Sequence, residues 1–162
     1  MQHVALSIFD KELCLPFFDR LTELFHEHHH SEEQDPDEYE SLLYRVYRPY
    51  TPEMLDMIDG WMGLEERAWR AETQREVLLS LYAIRYPDTL LIESLTDKAR
   101  SDIRRLSAYL HFTHHTYSIW DDDTRKGLGK LGIEIPEMKE ADPFAYWAYL
   151  SSIELLTDVA PF

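Results

Sequence analysis

The sequence predicts a mainly α protein, an irregular bundle of five to six helices around a central helix, with at most a minor strand pair. Apolar residues recur at spacings of three and four along several segments, which is the helical period. Three of these segments begin with a capping residue followed by proline. Those pairs are Asp35-Pro36, Thr51-Pro52 and Asp142-Pro143. Strand-like patterns are limited to IEI at 133–135 and to VALSIF at 4–9, which fits a strand or a helix equally well.

The segment from Thr96 to Trp120 is predicted to be the central helix, with Thr96 or Ser101 as its N-cap. If unbroken, this helix is about 35 Å long, enough to cross a small domain. One apolar stripe follows its length. The stripe consists of Ala99, Ile103, Leu106, Leu110, His114 and Tyr117.

Three helices are expected before residue 64. The first begins at Pro16 and ends near Ser31, where the polar stretch SEEQDPDE predicts a loop. The second runs from Pro36 to Arg48, with Asp35 and Glu38 placed as in a capping box. The third is short, begins at Pro52 and is expected to end at Gly60.

The second half of the chain gives less regular patterns. A helix is predicted from Leu64 to Tyr86 because mixed charges and apolar residues follow the helical period, and Pro87 stops it. The following PDTLLIESL fits one helical turn or an extended connector. Residues 124–141 are expected to be irregular because they contain three glycines and Pro136. The last helix starts at Pro143 and is apolar around most of its circumference.

Length and composition predict one helical domain over residues 1–162. With 44% hydrophobic residues, the chain has enough apolar surface for a core. The single cysteine, Cys14, lies between two leucines and is expected to be a buried thiol. No apolar run has the length of a membrane span, and the N-terminus has no basic leader. These features predict a cytoplasmic protein that does not enter a membrane.

The net charge of −15 is unevenly distributed along the chain. Residues 1–60 carry 14 acidic and 4 basic side chains, residues 61–110 carry 8 of each, and residues 111–162 carry 9 and 4. Such a chain should repel nucleic acid and anionic lipid, since binding phosphates requires an excess of Lys and Arg. It would attract a basic protein. The alternative is that the acidic residues only maintain solubility.

Two acidic patches are the predicted partner-binding surface. Their residues are Glu32, Glu33, Asp35, Asp37, Glu38, Tyr39, Glu40, Asp121, Asp122 and Asp123. Rows of carboxylates steer a basic partner, and aromatic side chains anchor it. In size and charge the chain is similar to small acidic inhibitors that neutralise nuclease toxins. We therefore expect a non-enzymatic binding module, such as a cognate inhibitor of immunity or antitoxin type; an acidic mimic of DNA and a homodimer are further options.

The alternative is a metal-binding protein or a metal-dependent enzyme. His26 and His30 stand at i and i+4, and so do His111 and His115, a spacing at which two imidazoles can bind one ion. The two Glu-x-x-His pairs, Glu23 with His26 and Glu27 with His30, fall on the same predicted helix. A carboxylate-bridged di-iron site requires such pairs on different helices. Ordinary polar or core histidines explain the same pattern.

Other motifs fail on their context. Gly127, Gly129 and Gly132 spell G-x-G-x-x-G, but neither a strand before them nor a helix after them is predicted. The stretch DDDTRKGLGKLG lacks the alternating oxygen ligands of a calcium loop. No base is indicated beside Cys14. The sequence therefore predicts no cofactor and no catalytic residue.

Overall fold

The computed structural model describes residues 36–46, 50–83, 89–99, 102–130, 132–138 and 141–159. These ranges contain seven helices and no strand. The helices are α1 (Pro36–Val46), α2 (Pro52–Trp61), α3 (Ala71–Ala83), α4 (Thr89–Ala99), α5 (Ile103–Thr113), α6 (Asp122–Lys130) and α7 (Pro143–Val159). The mainly α prediction is confirmed. The helix predicted from Pro16 and the ambiguous VALSIF segment lie outside the described residues.

Helix α5 is the centre of the packing, since it contacts α1, α2, α3 and α4. Most of its side chains are buried, including Ile103, Leu106 and Leu110 of the predicted apolar stripe. A short helix covered on several sides can bury nearly its whole circumference. The position of the predicted central helix is therefore correct.

The predicted length of the central helix is wrong, because its residues are divided among α4, α5 and the loop after α5. Asp102 is the N-cap of α5, and its side chain accepts a hydrogen bond from the Arg104 N–H at 2.9 Å. Thr96 is no cap, since it lies inside α4 and its hydroxyl donates to the Ile92 carbonyl. At the other end, His114 has extended backbone angles and ends α5.

The loop after α5 folds back against the helix that precedes it. The Trp120 N–H donates to the Ser107 hydroxyl at 2.7 Å, and the Ser118 carbonyl accepts from the Tyr146 hydroxyl at 2.8 Å. Tyr117 and Trp120 are buried by this reversal. The apolar residues that suggested a continued helix thus reach the core through a turn.

Helix α2 ends in a Schellman motif around Gly63. The Leu64 N–H donates to the Asp59 carbonyl and the Gly63 N–H to the Gly60 carbonyl, while Gly63 has φ +64°. The prediction that Gly60 terminates the helix is therefore wrong: Gly60 lies within the helix, which ends at Trp61, and Gly63 supplies the left-handed conformation.

Helices α3 and α4 also differ from the predicted elements. Residues 64–70 have no regular structure, so α3 begins at Ala71 and not at Leu64. The Arg67 side chain and the Glu65 carbonyl in this segment are bonded to residues outside it. The stretch left open as a turn or a connector is largely helical, because α4 covers 89–99 and buries Ile92 and Leu95.

Residues 122–130 form helix α6, so the prediction of an irregular segment is wrong there. Asp121 accepts hydrogen bonds from the N–H and hydroxyl of Thr124, at 2.7 and 2.8 Å. Acidic residues stand in the first turn and Lys130 in the last, which matches the helix dipole. These local interactions offset the roughly 1 kcal/mol that a helical glycine costs. A second Schellman motif, with φ +93° at Gly132, follows the helix.

The described residues divide into two compact units. One contains α1 to α5, the loop to Trp120, and residues 138 and 141–147. The other contains residues 121–130, 132–137 and 148–159. In the second unit Ile133 and Ile135 are buried without forming a strand, and the Ile135 carbonyl accepts from the Arg125 guanidinium at 3.2 Å. The expectation of one domain over 1–162 stays a prediction.

Helix α7 begins as the sequence predicts. The Asp142 carboxylate accepts hydrogen bonds from the N–H groups of Phe144 at 2.9 Å and Ala145 at 3.4 Å. Pro143 occupies the first helical position, where its missing N–H costs nothing. Among the helices described, none is sufficiently long and apolar to cross a bilayer.

Candidate docking groove

A groove of about 560 Å³ lies between α1 and α2. This volume is in the range of pockets that bind small molecules or peptide side chains. The described residues that line it are Asp37, Glu38, Ser41, Leu42 and Arg45 from α1, and Met57, Gly60 and Trp61 from α2. The groove therefore combines carboxylates, an apolar floor and an aromatic ring.

The charged residues of the groove stand at opposite ends of α1. Asp37 and Glu38 are in its first turn and Arg45 is in its last, and all three side chains are exposed. Within the described part of the chain, neither Glu38 nor Arg45 forms an ion pair. Glu40, on the same helix, is also exposed and forms no ion pair there. Carboxylates in this state keep their charge available to a partner.

An aromatic cluster supports the groove from behind. The Tyr39 ring lies 5.7 Å from that of Trp61 and 5.6 Å from that of Phe112, and the last two are edge to face at 5.3 Å. Such pairs contribute about 0.5–1.5 kcal/mol each beyond their buried area. This packing holds Trp61 in a fixed position at the groove.

Tyr39 is partly buried, so it does not stand among the carboxylates as the exposed anchor that the sequence suggested. Its hydroxyl is 2.7 Å from Nε2 of His111, whose Nδ1 is 2.7 Å from the Tyr117 carbonyl. A carbonyl only accepts, so Nδ1 carries the proton and Nε2 accepts from Tyr39. Burial lowers the pKa of His111, and the charge of His115 adds to this effect. His111 is therefore neutral and links α1, α5 and the loop after α5.

The histidine groups are placed differently from one another. His111 has both ring nitrogens within hydrogen-bond distance of protein groups, whereas His115 is exposed, with the two rings 6.3 Å apart. No group of three metal-ligating side chains occurs among the residues described. His26 and His30 lie outside them, so the metal-site alternative stays a prediction.

The Asp121–Asp123 patch is largely engaged in helix α6. Asp121 caps the helix, and Asp122 pairs with Arg125 at 2.7 Å and Lys126 at 2.8 Å. The hydrogen bonds from Arg125 and Lys126 lower the pKa of Asp122. Asp123 lies 3.6 Å from the same Lys126. Local cations thus offset much of the charge of this patch.

Of the first predicted patch, Asp37, Glu38, Tyr39 and Glu40 all lie on α1. Glu32, Glu33 and Asp35 lie outside the described residues. The structure adds groove residues that the charge pattern did not indicate, namely Met57, Gly60 and Trp61. Their signal in the sequence was weak, because which face of α2 meets α1 depends on packing between the two helices.

A buried ionic cluster on the other side of α2 was missed by sequence reasoning. Asp59 is 6% exposed, and its carboxylate accepts hydrogen bonds from Arg67, from Arg105 at 3.2 Å and from the Tyr109 hydroxyl at 2.6 Å. Arg67 also binds Asp56 at 2.6 Å. Burial and the bond to Asp59 raise the pKa of Tyr109. One signal was present: Asp59 follows the buried Leu55 by four residues and so shares its face.

The Asp59 cluster connects residues that are far apart in the chain. Its two guanidinium groups and its phenol are all hydrogen-bonded to the one carboxylate. It joins α2, α5 and the segment 64–70, where the Glu65 carbonyl accepts from Arg105. Trp69 packs edge to face on Tyr109 at 6.2 Å. The cluster fixes the helix that supplies one wall of the groove.

Known proteins provide no template for this arrangement. No protein-family model matches the sequence, and no curated protein or solved structure matches it either. The chemistry of the groove is therefore judged from its own residues.

Proposed function

We propose that this protein is a non-enzymatic binding module whose groove between α1 and α2 receives a basic segment of a partner protein. The observation that carries the proposal is the presence of Asp37, Glu38 and the Trp61 ring in one opening of about 560 Å³. Carboxylates attract Lys and Arg side chains, and an indole ring provides the surface on which an aliphatic stem or a guanidinium packs. An acidic excess of ten charges in residues 1–60 adds long-range attraction.

The finer proposal is that the partner is a basic toxin, such as a nuclease, which this chain inhibits in the cytoplasm. Inhibition of this kind requires only that a rigid acidic surface covers the cationic site of the toxin, so it needs no catalytic residue. What supports this reading is the combination of size, net charge of −15 and an aromatic acidic groove. The expected behaviour is stoichiometric loss of the toxin's activity.

The docking proposal is tested with a capped all-basic peptide, KKLFKK, and two variants that change the net charge equally. Asp37→Asn with Glu38→Gln removes the groove carboxylates, whereas Glu72→Gln with Glu76→Gln removes two exposed carboxylates of α3. Isothermal titration should show that the groove pair weakens binding about tenfold, near 1.4 kcal/mol. The double variant on α3 should change the affinity for KKLFKK less than twofold.

Long-range attraction alone predicts a different result, since any two lost carboxylates would then have the same effect. Equal losses of affinity for the two double variants would contradict the proposal. A third variant keeps the charge constant: Gly60→Leu fills the groove, because a Cβ at Gly60 meets no atom within 4 Å. It should abolish binding while the circular dichroism spectrum remains that of the wild type.

A further inference from the structure

The groove has an acidic end and a basic end. Glu38 and Arg45 are seven residues apart on α1, which is about 10 Å along the helix axis. The other described lining residues, Ser41, Leu42, Met57, Gly60 and Trp61, carry no charged side chain. The lining of the groove therefore carries opposite charges at the two ends of α1, and the rest of its described lining is uncharged.

Part of this arrangement has a local explanation. Acidic residues in the first turn of α1 and Arg45 in its last turn both complement the helix dipole, which contributes to the stability of the helix itself. The dipole explains the order of the charges along α1 but not their position around it. Asp37, Glu38 and Arg45 all line the same groove as Trp61.

We infer that the groove binds a partner segment of mixed charge, with a Lys or Arg at the Asp37/Glu38 end, an apolar residue over Trp61, and an Asp or Glu at the Arg45 end. This inference rests on the proposed docking function and narrows it. An all-basic segment long enough to fill the groove would place one cation beside Arg45. Like charges brought together in this way cost affinity and select against the wrong partner.

The spacing gives the length of the segment. An extended chain rises about 3.3 Å per residue, so opposite charges some 10 Å apart are three residues apart in an extended partner. The open space at Gly60, next to Trp61, leaves room for the apolar residue. The ligand is thus a short peptide of basic, apolar and acidic residues, in that order from the α1 N-terminus.

Two capped peptides of equal length test the inference, the mixed KKLFEE and the all-basic KKLFKK. If net attraction to an acidic protein decides affinity, KKLFKK binds more tightly. If both ends of the groove contact peptide charges of the opposite sign, the wild-type protein binds KKLFEE more tightly, by roughly tenfold. Isothermal titration at two salt concentrations gives both affinities.

The variant Arg45→Glu provides the sharper measurement. It should weaken the binding of KKLFEE and strengthen the binding of KKLFKK, so that the ratio of the two affinities changes by at least about tenfold. Arg75→Glu, an exposed arginine on α3, makes the same change in net charge and is the matched control. It should strengthen the binding of KKLFKK slightly and leave that of KKLFEE, which has no net charge, nearly unchanged, so the ratio changes much less than in Arg45→Glu. Unfolding in urea confirms that each variant is folded.

The failure of this inference is separable from the failure of the docking proposal. If KKLFKK binds the wild-type groove as tightly as KKLFEE, or if Arg45→Glu and Arg75→Glu change the ratio equally, the mixed-charge inference is overturned and docking stands. If neither peptide binds, or if the double variants of the groove and of α3 lose the same affinity, both the inference and the docking proposal are overturned.

Discussion

The Tyr109 hydroxyl donates a hydrogen bond to Oδ1 of Asp59 across 2.6 Å, joining two buried side chains that are 50 residues apart in the sequence. The same carboxylate forms ion pairs with both Arg67 and Arg105. Its removal leaves the Arg67 guanidinium, 5% exposed, without its buried counter-charge. We expect Asp59→Ala to lower the free energy of unfolding by about 3–5 kcal/mol, measured by urea denaturation.

Two further variants resolve the contributions within this cluster. Tyr109→Phe removes one hydrogen bond to the carboxylate and should cost about 1–3 kcal/mol. Asp56→Ala removes the exposed partner of Arg67 and should cost less than about 1 kcal/mol, because water screens that pair. A loss below about 1 kcal/mol for Asp59→Ala would show that the cluster does not stabilise the fold as argued.

Neutral His111 predicts a dependence of stability on pH. Burial holds its pKa in the folded protein below the ordinary value of 6.5, against the opposing effect of the Tyr117 carbonyl. Between 6.5 and the lower folded pKa, the unfolded chain binds a proton that the folded chain does not. The free energy of unfolding therefore falls as the pH decreases through this window.

The contribution of His111 is measured by comparing the wild type with His111→Gln between pH 7.5 and pH 5. The variant should be less stable at pH 7.5, since it alters the Tyr39 and Tyr117 bonds, but its stability should fall less steeply. His115→Gln, which removes an exposed ring, should retain most of the wild-type slope. Identical slopes in the wild type and His111→Gln would contradict the assignment.

The two glycines at the end of α2 should respond oppositely to alanine. Gly60 is helical and has open space at its Cβ, so Gly60→Ala should raise the free energy of unfolding by about 0.5–1 kcal/mol. Gly63 has φ +64°, where a Cβ costs about 1–2 kcal/mol, so Gly63→Ala should lower it by that amount. Thermal and urea unfolding measure both, and the same sign for the two variants would refute the Schellman assignment.

Helix caps provide a second matched pair. Asp142 accepts two N–H groups at the start of α7, so Asp142→Ala should cost about 0.5–2 kcal/mol. Thr51 precedes Pro52 in the same way, but its side chain makes no capping hydrogen bond. Thr51→Ala should therefore have little effect. Comparable losses at the two positions would mean that the Asp142 bonds do not contribute.

Local patterns in the sequence predicted the class of the fold and the starts of three helices. Each of these helices, α1, α2 and α7, begins at a proline, and a proline acts within one turn, so no tertiary information is needed to interpret it. The apolar stripe predicted that Ile103, Leu106 and Leu110 belong to the core, because helical spacing alone places them on one face. The acidic first turn of α1 was likewise evident from the residue types.

Local patterns misled where two interactions competed. The glycines after Lys126 suggested a loop, but the Asp121 cap and the pairs from Asp122 to Arg125 and Lys126 stabilise α6. Apolar spacing suggested one helix to Trp120, but the chain reverses after Thr113 and buries Tyr117 from a loop. Periodicity predicts which residues are buried in the core, but it does not predict whether a helix or a loop places them there.

The sequence by itself determined that this chain is helical, acidic and rich in aromatic residues, since composition, period and caps are local properties. Only the tertiary structure decided that Arg67, Arg105 and Tyr109 converge on Asp59, that Tyr39 binds His111, and that Trp61 stands beside the α1 carboxylates. The physical reason is that these contacts join residues far apart in the chain. Which residues are in contact depends on how the helix faces pack, and the local periodicity of the sequence does not predict this.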